Sequence, residues 1–265
     1  MQTSILRVCT VATLALALGA GAALAATATE RIDQVFELSP GGSVELKNTN
    51  GSIEIESWDR DEVRVVAEKR IKARSDEDAE EALEHLRVEF EQTSDGLRID
   101  THYPRRSEGV LSWLFGDNVN MQVSYKLTLP RNIDLEAVTV NGGISVYETS
   151  GTMRLRSTNG SIKVSDAAGS VDAHTTNGAI KVELTELVAG EDLAFGTTNG
   201  SITVYLPKTV AASIKARTVN GSIQTDFPIQ VSGSLSRRRL EGEINGGGDQ
   251  IDLRTTNGSI KLLEL

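Results

Sequence analysis

The sequence predicts an all-β fold: a β-solenoid of stacked two-strand rungs with Asn-Gly corners, carrying a small α+β capping insertion. Three observations predict it. Asn-Gly followed by a small residue and Ile recurs at Asn50, Asn141, Asn159, Asn177, Asn199, Asn220 and Asn257, with gaps of 18, 18, 22 and 21 residues among the middle five copies. Apolar and polar residues alternate on both sides of each copy, the period of a half-buried strand. The one cysteine, Cys9, lies in the leader, so core burial and backbone hydrogen bonds must hold the fold.

The leader comes first. MQTSILRVCTVATLALALGAGAALA carries one charge at Arg7, an apolar run from Val8, and Ala23 and Ala25 in the A-x-A arrangement of a signal-peptidase site. Residues 1–25 are expected to be a signal peptide cleaved after Ala25, an uncleaved anchor being the alternative for an apolar run approaching the about 20 residues of a membrane span. Export to the periplasm or cell surface follows. The chain of 265 residues has a formal net charge of −10, and losing the leader removes one Arg and no acid. That acidity disfavours nucleic acid as a partner.

Residues 26–60 hold the first strand rung, GGSVELKNTNGSIEIESWD. Residues 61–120 break the pattern. Asp61 to Ala67 reads as a strand, Ser75-Asp76-Glu77-Asp78 opens a short helix to about His85, and strands follow near Leu86–Gln92 and Leu97–Tyr103. An open solenoid end exposes strand edges, so this insertion is read as a cap. The loop Arg105–Asn118 then gathers Trp113, Leu114 and Phe115, as a plug over that end or as a contact site for a partner or membrane.

Residues 121–265 are the repeats. Two, four and six residues before the Asn stand Thr218, Ala216 and Ile214 in one copy and Thr255, Leu253 and Ile251 in another; three and five after it stand Ile162 and Val164, Ile180 and Val182, Ile202 and Val204. Only Thr225 departs from apolar. Asn and Gly suit the corner because both tolerate positive φ. Hairpins in an antiparallel meander and rungs in a coil both fit, but only in a coil do equivalent residues touch, so identity of the repeat favours the coil. One rung buries too little to fold alone. FPIQVSGSLSRRRLEGEINGGGDQ separates the sixth and seventh copies, with Arg237, Arg238 and Arg239 read as a solvated loop or edge guard.

The GGSVELKNTNGSIEIESWD rung, the KLTLPRNIDL entry strand, the repeated TNGSI and the terminal IDLRTTNGSIKL together resemble the bacterial putative-adhesin family of β-strand-repeat envelope proteins, a domain of unknown function. The resemblance covers nearly all of the mature chain. It implies a β-solenoid and an exported location, and supplies no catalytic residues.

Function is therefore sought on the outward positions. If rungs stack, Arg156, His174, Arg217 and Arg254 share one ladder and Lys163, Lys181 and Lys261 another, interrupted by Gly196, Thr203 and Gln224. Such basic stripes could hold an anionic envelope polysaccharide or an envelope protein, or be a solvated face. The N-x-S pattern at Asn50, Asn159, Asn199, Asn220 and Asn257 reads as turn chemistry, not glycosylation. Asn245–Asp249 lacks the alternating Gly and Asp of calcium-binding rolls, and no metal or cofactor is expected. Asp172 with His174 is the nearest approach to an acid-base pair. The expectation is an exported, non-enzymatic adhesin-like or scaffold module binding through its solenoid surface; the alternative is a polysaccharide hydrolase or lyase on the same scaffold.

Overall fold

The computed structural model describes residues 26–104, 119–188 and 190–265. The expected signal peptide with Cys9, and the loop carrying Trp113, Leu114 and Phe115, lie outside the described residues. The architecture is all-β, with one helix among the described residues. The chain enters on β1 (Ala26–Glu37) and forms its first two-strand unit with β2 (Ser43–Lys47) and β3 (Ile53–Trp58). The insertion follows as β4 (Glu62–Ala73), α1 (Asp76–His85), β5 (Arg87–Gln92), β6 (Gly96–His102) and β7 (Asn120–Pro130). Repeats resume with β8 (Asp134–Asn141), β9 (Ile144–Tyr147), β10 (Ser150–Asn159), β11 (Ile162–Asn177), β12 (Ile180–Glu186), β13 (Leu193–Asn199), β14 (Ile202–Leu206), β15 (Ala212–Asn220) and β16 (Ile223–Thr225). A hairpin of β17 (Gln230–Ser236) and β18 (Arg239–Ile244) precedes the final pair, β19 (Asp249–Asn257) and β20 (Ile260–Glu264).

Neighbouring repeats pair in parallel and in register, unlike the hairpins of a meander. On one side the order is β6, β2, β8, β10, the later half of β11, β13, β19, β15 and β18. On the other it is β4, β7, β3, β9, the earlier half of β11, β12, β14, β20 and β16. The core lies between these two sides. Ile53, Ile144, Ile162, Ile180, Ile202 and Ile260 line up in it, all buried. Opposite them runs the line Leu155, Ala173, Phe195, Leu253, Ala216, in which each alanine stands beside larger side chains. Phe195 thereby finds its volume beside Ala173, as close packing requires.

Stack order departs from chain order at both termini. The last copy lies between the fifth and sixth, because β19 pairs with both β13 and β15. The first copy lies between β6 and β8. Each terminal rung is thus covered on both edges, while the outer edges pair antiparallel with β18 at one end and with β4 and β5 at the other. Helix α1 packs at the second of these ends. Ser75 caps it by accepting from the Asp78 N–H at 3.2 Å, acidic Asp76, Glu77 and Asp78 face the positive end of its dipole, and Ala79, Ala82 and Leu86 are buried.

Three sets of bonds cross each Asn-Gly turn. The first is a run of amides: Asn141 Nδ2 donates to Asn50 Oδ1 at 2.7 Å, and Asn159 to Asn141, Asn177 to Asn159, Asn199 to Asn177, Asn257 to Asn199 and Asn220 to Asn257, each at 2.8 Å. Asn50 Nδ2 ends the run on the Met121 carbonyl. The second runs in the opposite sense, each ladder glycine except Gly221 donating its N–H to the next rung's Asn carbonyl, as Gly160 does to Asn177 at 3.0 Å. In the third, the buried Ser157, Thr175, Thr197, Thr255 and Thr218 hydroxyls donate to glycine carbonyls at 2.8–3.0 Å. These hydroxyls are buried polar groups that are fully partnered.

The reason for glycine differs from the sequence expectation. No Asn of the ladder has positive φ, and of the ladder glycines only Gly51 does. Positive φ lies instead at the second turn of two repeats, at Glu148 and Gly151 and at Asp166 and Gly169. At the Asn-Gly turn the constraint is contact between rungs. A Cβ on Gly160 would overlap the Gly142 carbonyl, and one on Gly178 the Gly160 carbonyl. Gly178→Ala is therefore expected to cost roughly 3 kcal/mol, since backbone cannot yield as a flexible side chain can. Gly143→Ala, whose Cβ would stand 3.2 Å from the Ser161 carbonyl, should cost much less; urea unfolding of the two variants measures the difference.

Candidate functional site

Strand register decides which outward residues meet. Arg156 stands beside His174, His174 beside Gly196, Gly196 beside Arg254, Arg254 beside Arg217, and Arg217 beside Arg239. The four residues read from the sequence do share one line, in an order the sequence did not give. Gly196 splits it into a pair and a triple. The third member of the triple, Arg239, was missed because RRR read as a loop. The alternation Leu240, Gly242 and Ile244, all buried, was the available signal for a strand there.

The glycine that breaks the line has a cause. The His174 imidazole lies over it, and a Cβ at position 196 would come within 2.5 Å of Cδ2 and 2.7 Å of Nε2. Its Nδ1 is 2.8 Å from Asp172 Oδ1. Arg156 grips the same carboxylate through both nitrogens, Nη2 to Oδ2 at 2.5 Å and Nη1 to Oδ1 at 3.1 Å. Burial works to raise the Asp172 carboxyl, but the Arg156 hydrogen bonds and charge, with His174, hold it below the usual carboxylate range. A carboxylate so held is a fixed anion: it orients and charge-balances its neighbours and takes up no proton near neutral pH.

The triple is balanced in the same way, though less fully. Arg254 forms a two-pronged pair with Asp252, Nε to Oδ1 at 2.7 Å and Nη2 to Oδ2 at 2.6 Å. Arg239 donates to Glu241 Oε1 from Nε and Nη2 at 3.1 and 3.0 Å, and Arg217 reaches the same oxygen at 3.9 Å. Three guanidinium groups therefore share two carboxylates. Arg237 and Arg238, exposed in the turn between β17 and β18, enter no ion pair among the described residues. The positive patch thus gathers at one end of the stack. Residues 205–265 carry eight basic and six acidic side chains, whereas residues 26–104, which build the other end, carry ten basic and twenty acidic ones.

On the opposite side, Lys163 stands beside Lys181, Lys181 beside Thr203, and Thr203 beside Lys261. The adjacent lysines turn to different partners. Lys163 Nζ lies 5.2 Å from the Tyr147 ring centroid, while Lys181 Nζ lies 5.0 Å from that of Tyr205 and 2.7 Å from Glu183 Oε1.

Trp113, Leu114 and Phe115 lie outside the described residues, but the chain on both sides of their loop is placed. Tyr103 donates its hydroxyl to the Asn50 carbonyl at 2.8 Å, and the Met121 carbonyl accepts from Asn50 Nδ2 at 3.3 Å. The loop leaves and rejoins the stack beside Asn50. At Asn245–Asp249, the Asp249 carboxylate accepts from the Gly190 N–H and Asn245 Nδ2 donates to the Val210 carbonyl at 2.8 Å, so these groups serve the fold. Among the described residues no group of three or more His, Cys, Asp and Glu is placed to hold a metal, and no helix is long and apolar enough to cross a membrane.

Asp172 supplies a pH test. Its folded pKa is depressed, so the stability it contributes is complete above its unfolded pKa of about 3.9 and is lost as pH falls through the folded value. Asp172→Asn should therefore lower stability near neutral pH and flatten the acid limb below about pH 4, measured by urea unfolding across that range.

Residues 132–263 match the family described as Toastrack DUF4097. No curated protein matches the chain. Among solved structures, a putative cell adhesion protein from Clostridium sporogenes is similar at 13% identity, covering 89% of this chain and 100% of that one, with a TM-score of 0.48. A putative adhesin from Bacteroides fragilis is similar at 9% identity, over 89% and 97% of the two chains, with a TM-score of 0.25. A putative lipid binding protein from Parabacteroides distasonis is similar at 11% identity, over 89% and 96%, with a TM-score of 0.27. Likeness at these levels carries no argument about function.

Proposed function

We propose, for a chain whose residues 132–263 belong to the Toastrack family of β-strand repeats of unknown function, that it is an exported, non-enzymatic adhesin-like or scaffold module of the cell envelope. Its β-solenoid, with Asn-Gly corners and an α+β cap, acts by surface contact. The observation that carries the reading is the line Arg254, Arg217, Arg239 on three adjacent strands, continued by exposed Arg237 and Arg238. Strand neighbours stand about 4.8 Å apart, so the line offers regularly spaced cations on a rigid sheet. The partner that suits it is an anionic envelope polysaccharide, whose repeated charges such a line can meet in series.

The unequal ends favour one orientation. The strongly acidic end repels a polyanion and the arginine end attracts it, so contact is confined to β15, β18 and β19. Arg156 and His174, tied to Asp172, and Lys163, Lys181 and Lys261, spread along the opposite side, contribute to the field and not to this contact. The Trp113 loop, rooted at the acidic end beside Asn50, is free in this reading to touch a membrane surface or a second envelope component.

The test uses the mature chain and a sulfated dextran as the polyanion. Retention at low ionic strength should weaken steadily as salt rises, and Arg237→Glu with Arg238→Glu should reduce affinity by roughly tenfold. Retention indifferent to salt, or none at low salt, refutes the polyanion reading. Capture of an envelope protein with affinity unchanged in the double variant redirects it to a protein partner, and release of oligosaccharides from an envelope glycan establishes the enzyme alternative instead.

A further inference from the structure

We propose that Asn220 is a site of spontaneous deamidation in the folded protein, the one of the seven ladder Asn-Gly pairs that the stack leaves able to react. In this chemistry the backbone nitrogen of the glycine loses its proton and bonds to the Asn Cγ. The Cγ–Nδ2 bond breaks and ammonia leaves, closing a five-membered succinimide. Water then opens the ring to aspartate or isoaspartate, so the net change is amide plus water to acid plus ammonia, with no redox step. Glycine favours the attack because no side chain obstructs its nitrogen. The sequence therefore offers eight Asn-Gly pairs: Asn245-Gly246, where Asn245 Nδ2 is tied to the Lys208 and Val210 carbonyls at 3.3 and 2.8 Å, and the seven of the ladder, which hydrogen bonding separates.

Six glycine nitrogens are occupied. Gly51 donates to the Asn141 carbonyl, Gly142 to Asn159, Gly160 to Asn177, Gly178 to Asn199, Gly200 to Asn257 and Gly258 to Asn220, all at 2.9–3.1 Å. A nitrogen whose proton is held this way is a poor nucleophile, and it is fixed facing the next rung. The corresponding Asn amides are fixed too: each of Asn50, Asn141, Asn159, Asn177, Asn199 and Asn257 both donates through Nδ2 and accepts at Oδ1. Swinging Cγ toward the glycine nitrogen breaks both bonds.

Asn220 ends the run, and no further rung follows it. The turn between β17 and β18 takes that place incompletely. It presents the Arg238 carbonyl to the Thr218 N–H and the Arg237 carbonyl to the Ile223 N–H, both at 3.0 Å. Gly221, between them, receives no acceptor for its N–H among the described residues. Asn220 keeps its Nδ2 bond to Asn257 but has no donor on Oδ1, and both residues are exposed to water. Arg238 Nη1 donates to the Val219 carbonyl at 3.3 Å, one peptide before the Asn220–Gly221 bond, and so leaves the Gly221 N–H itself uncovered. The product has a further effect. A carboxylate at position 220 has no N–H to give to Asn257 Oδ1, so the last amide bond of the ladder is lost and the arginine end gains a negative charge.

The experiment is peptide mapping by mass spectrometry of the mature chain held at mildly alkaline pH, with circular dichroism recording that the strands persist. Asn220 should convert roughly tenfold faster than any of the other six, the factor that one hydrogen bond of about 1.4 kcal/mol represents. In urea-unfolded chain the seven should convert at similar rates, which shows that the fold makes the difference. Equal conversion among the seven ladder sites in the folded chain, or faster conversion at any of the other six, overturns the proposal.

Discussion

The contact on which this structure depends is glycine backbone against glycine backbone. Where one rung's Gly carbonyl meets the next rung's Gly Cα, no Cβ fits. That close approach brings the Asn side chains of successive rungs within amide hydrogen-bond distance, and it lets the buried Thr and Ser hydroxyls reach the glycine carbonyls. One steric condition thus fixes rung spacing, the exposed amide ladder and the inner hydroxyl ladder together. The Ile line in the core follows from the same spacing, because it begins three residues after each Asn.

A repeat that fits only its own copy has edges that attract more copies. Two devices limit this. The N- and C-terminal copies lie inside the stack, between other strands, so neither copy presents a free outer edge. The outermost strands then pair antiparallel with segments that lack the Asn-Gly signature, which ends the register. The match is imperfect at Gly221, the glycine N–H that the β17–β18 turn leaves without an acceptor among the described residues.

Stacking identical residues also stacks identical charges, which is unfavourable at strand spacing. The chain answers with carboxylates two positions away on the same face: Asp172 holds Arg156 and His174, Asp252 holds Arg254, and Glu241 serves Arg239 and Arg217. Lys163 and Lys181 separate onto different tyrosine rings. What survives is the excess at the arginine end, where three cations share two acids and two more have none. The surface thus neutralises most of its charge locally and leaves one end positive, and the proposed contact with a polyanion rests on that excess.

The amino-acid sequence by itself determined the strands of the repeats, their inward faces and the short helix, because period-two alternation and a Ser75 cap are local properties that neighbouring residues decide. It also placed Arg156, His174, Arg217 and Arg254 on one line, since equal offsets from each Asn mean equal positions in any in-register stack. Tertiary structure alone decided the order of that line, the inclusion of Arg239, and the slotting of the last copy between the fifth and sixth. Those depend on which rung lies beside which, and seven nearly identical corners give the chain no local means of stating it. The role of glycine divides in the same way: its presence at every corner was legible, but its cause, a carbonyl from another rung where Cβ would stand, exists only between segments that the sequence keeps 15 or more residues apart.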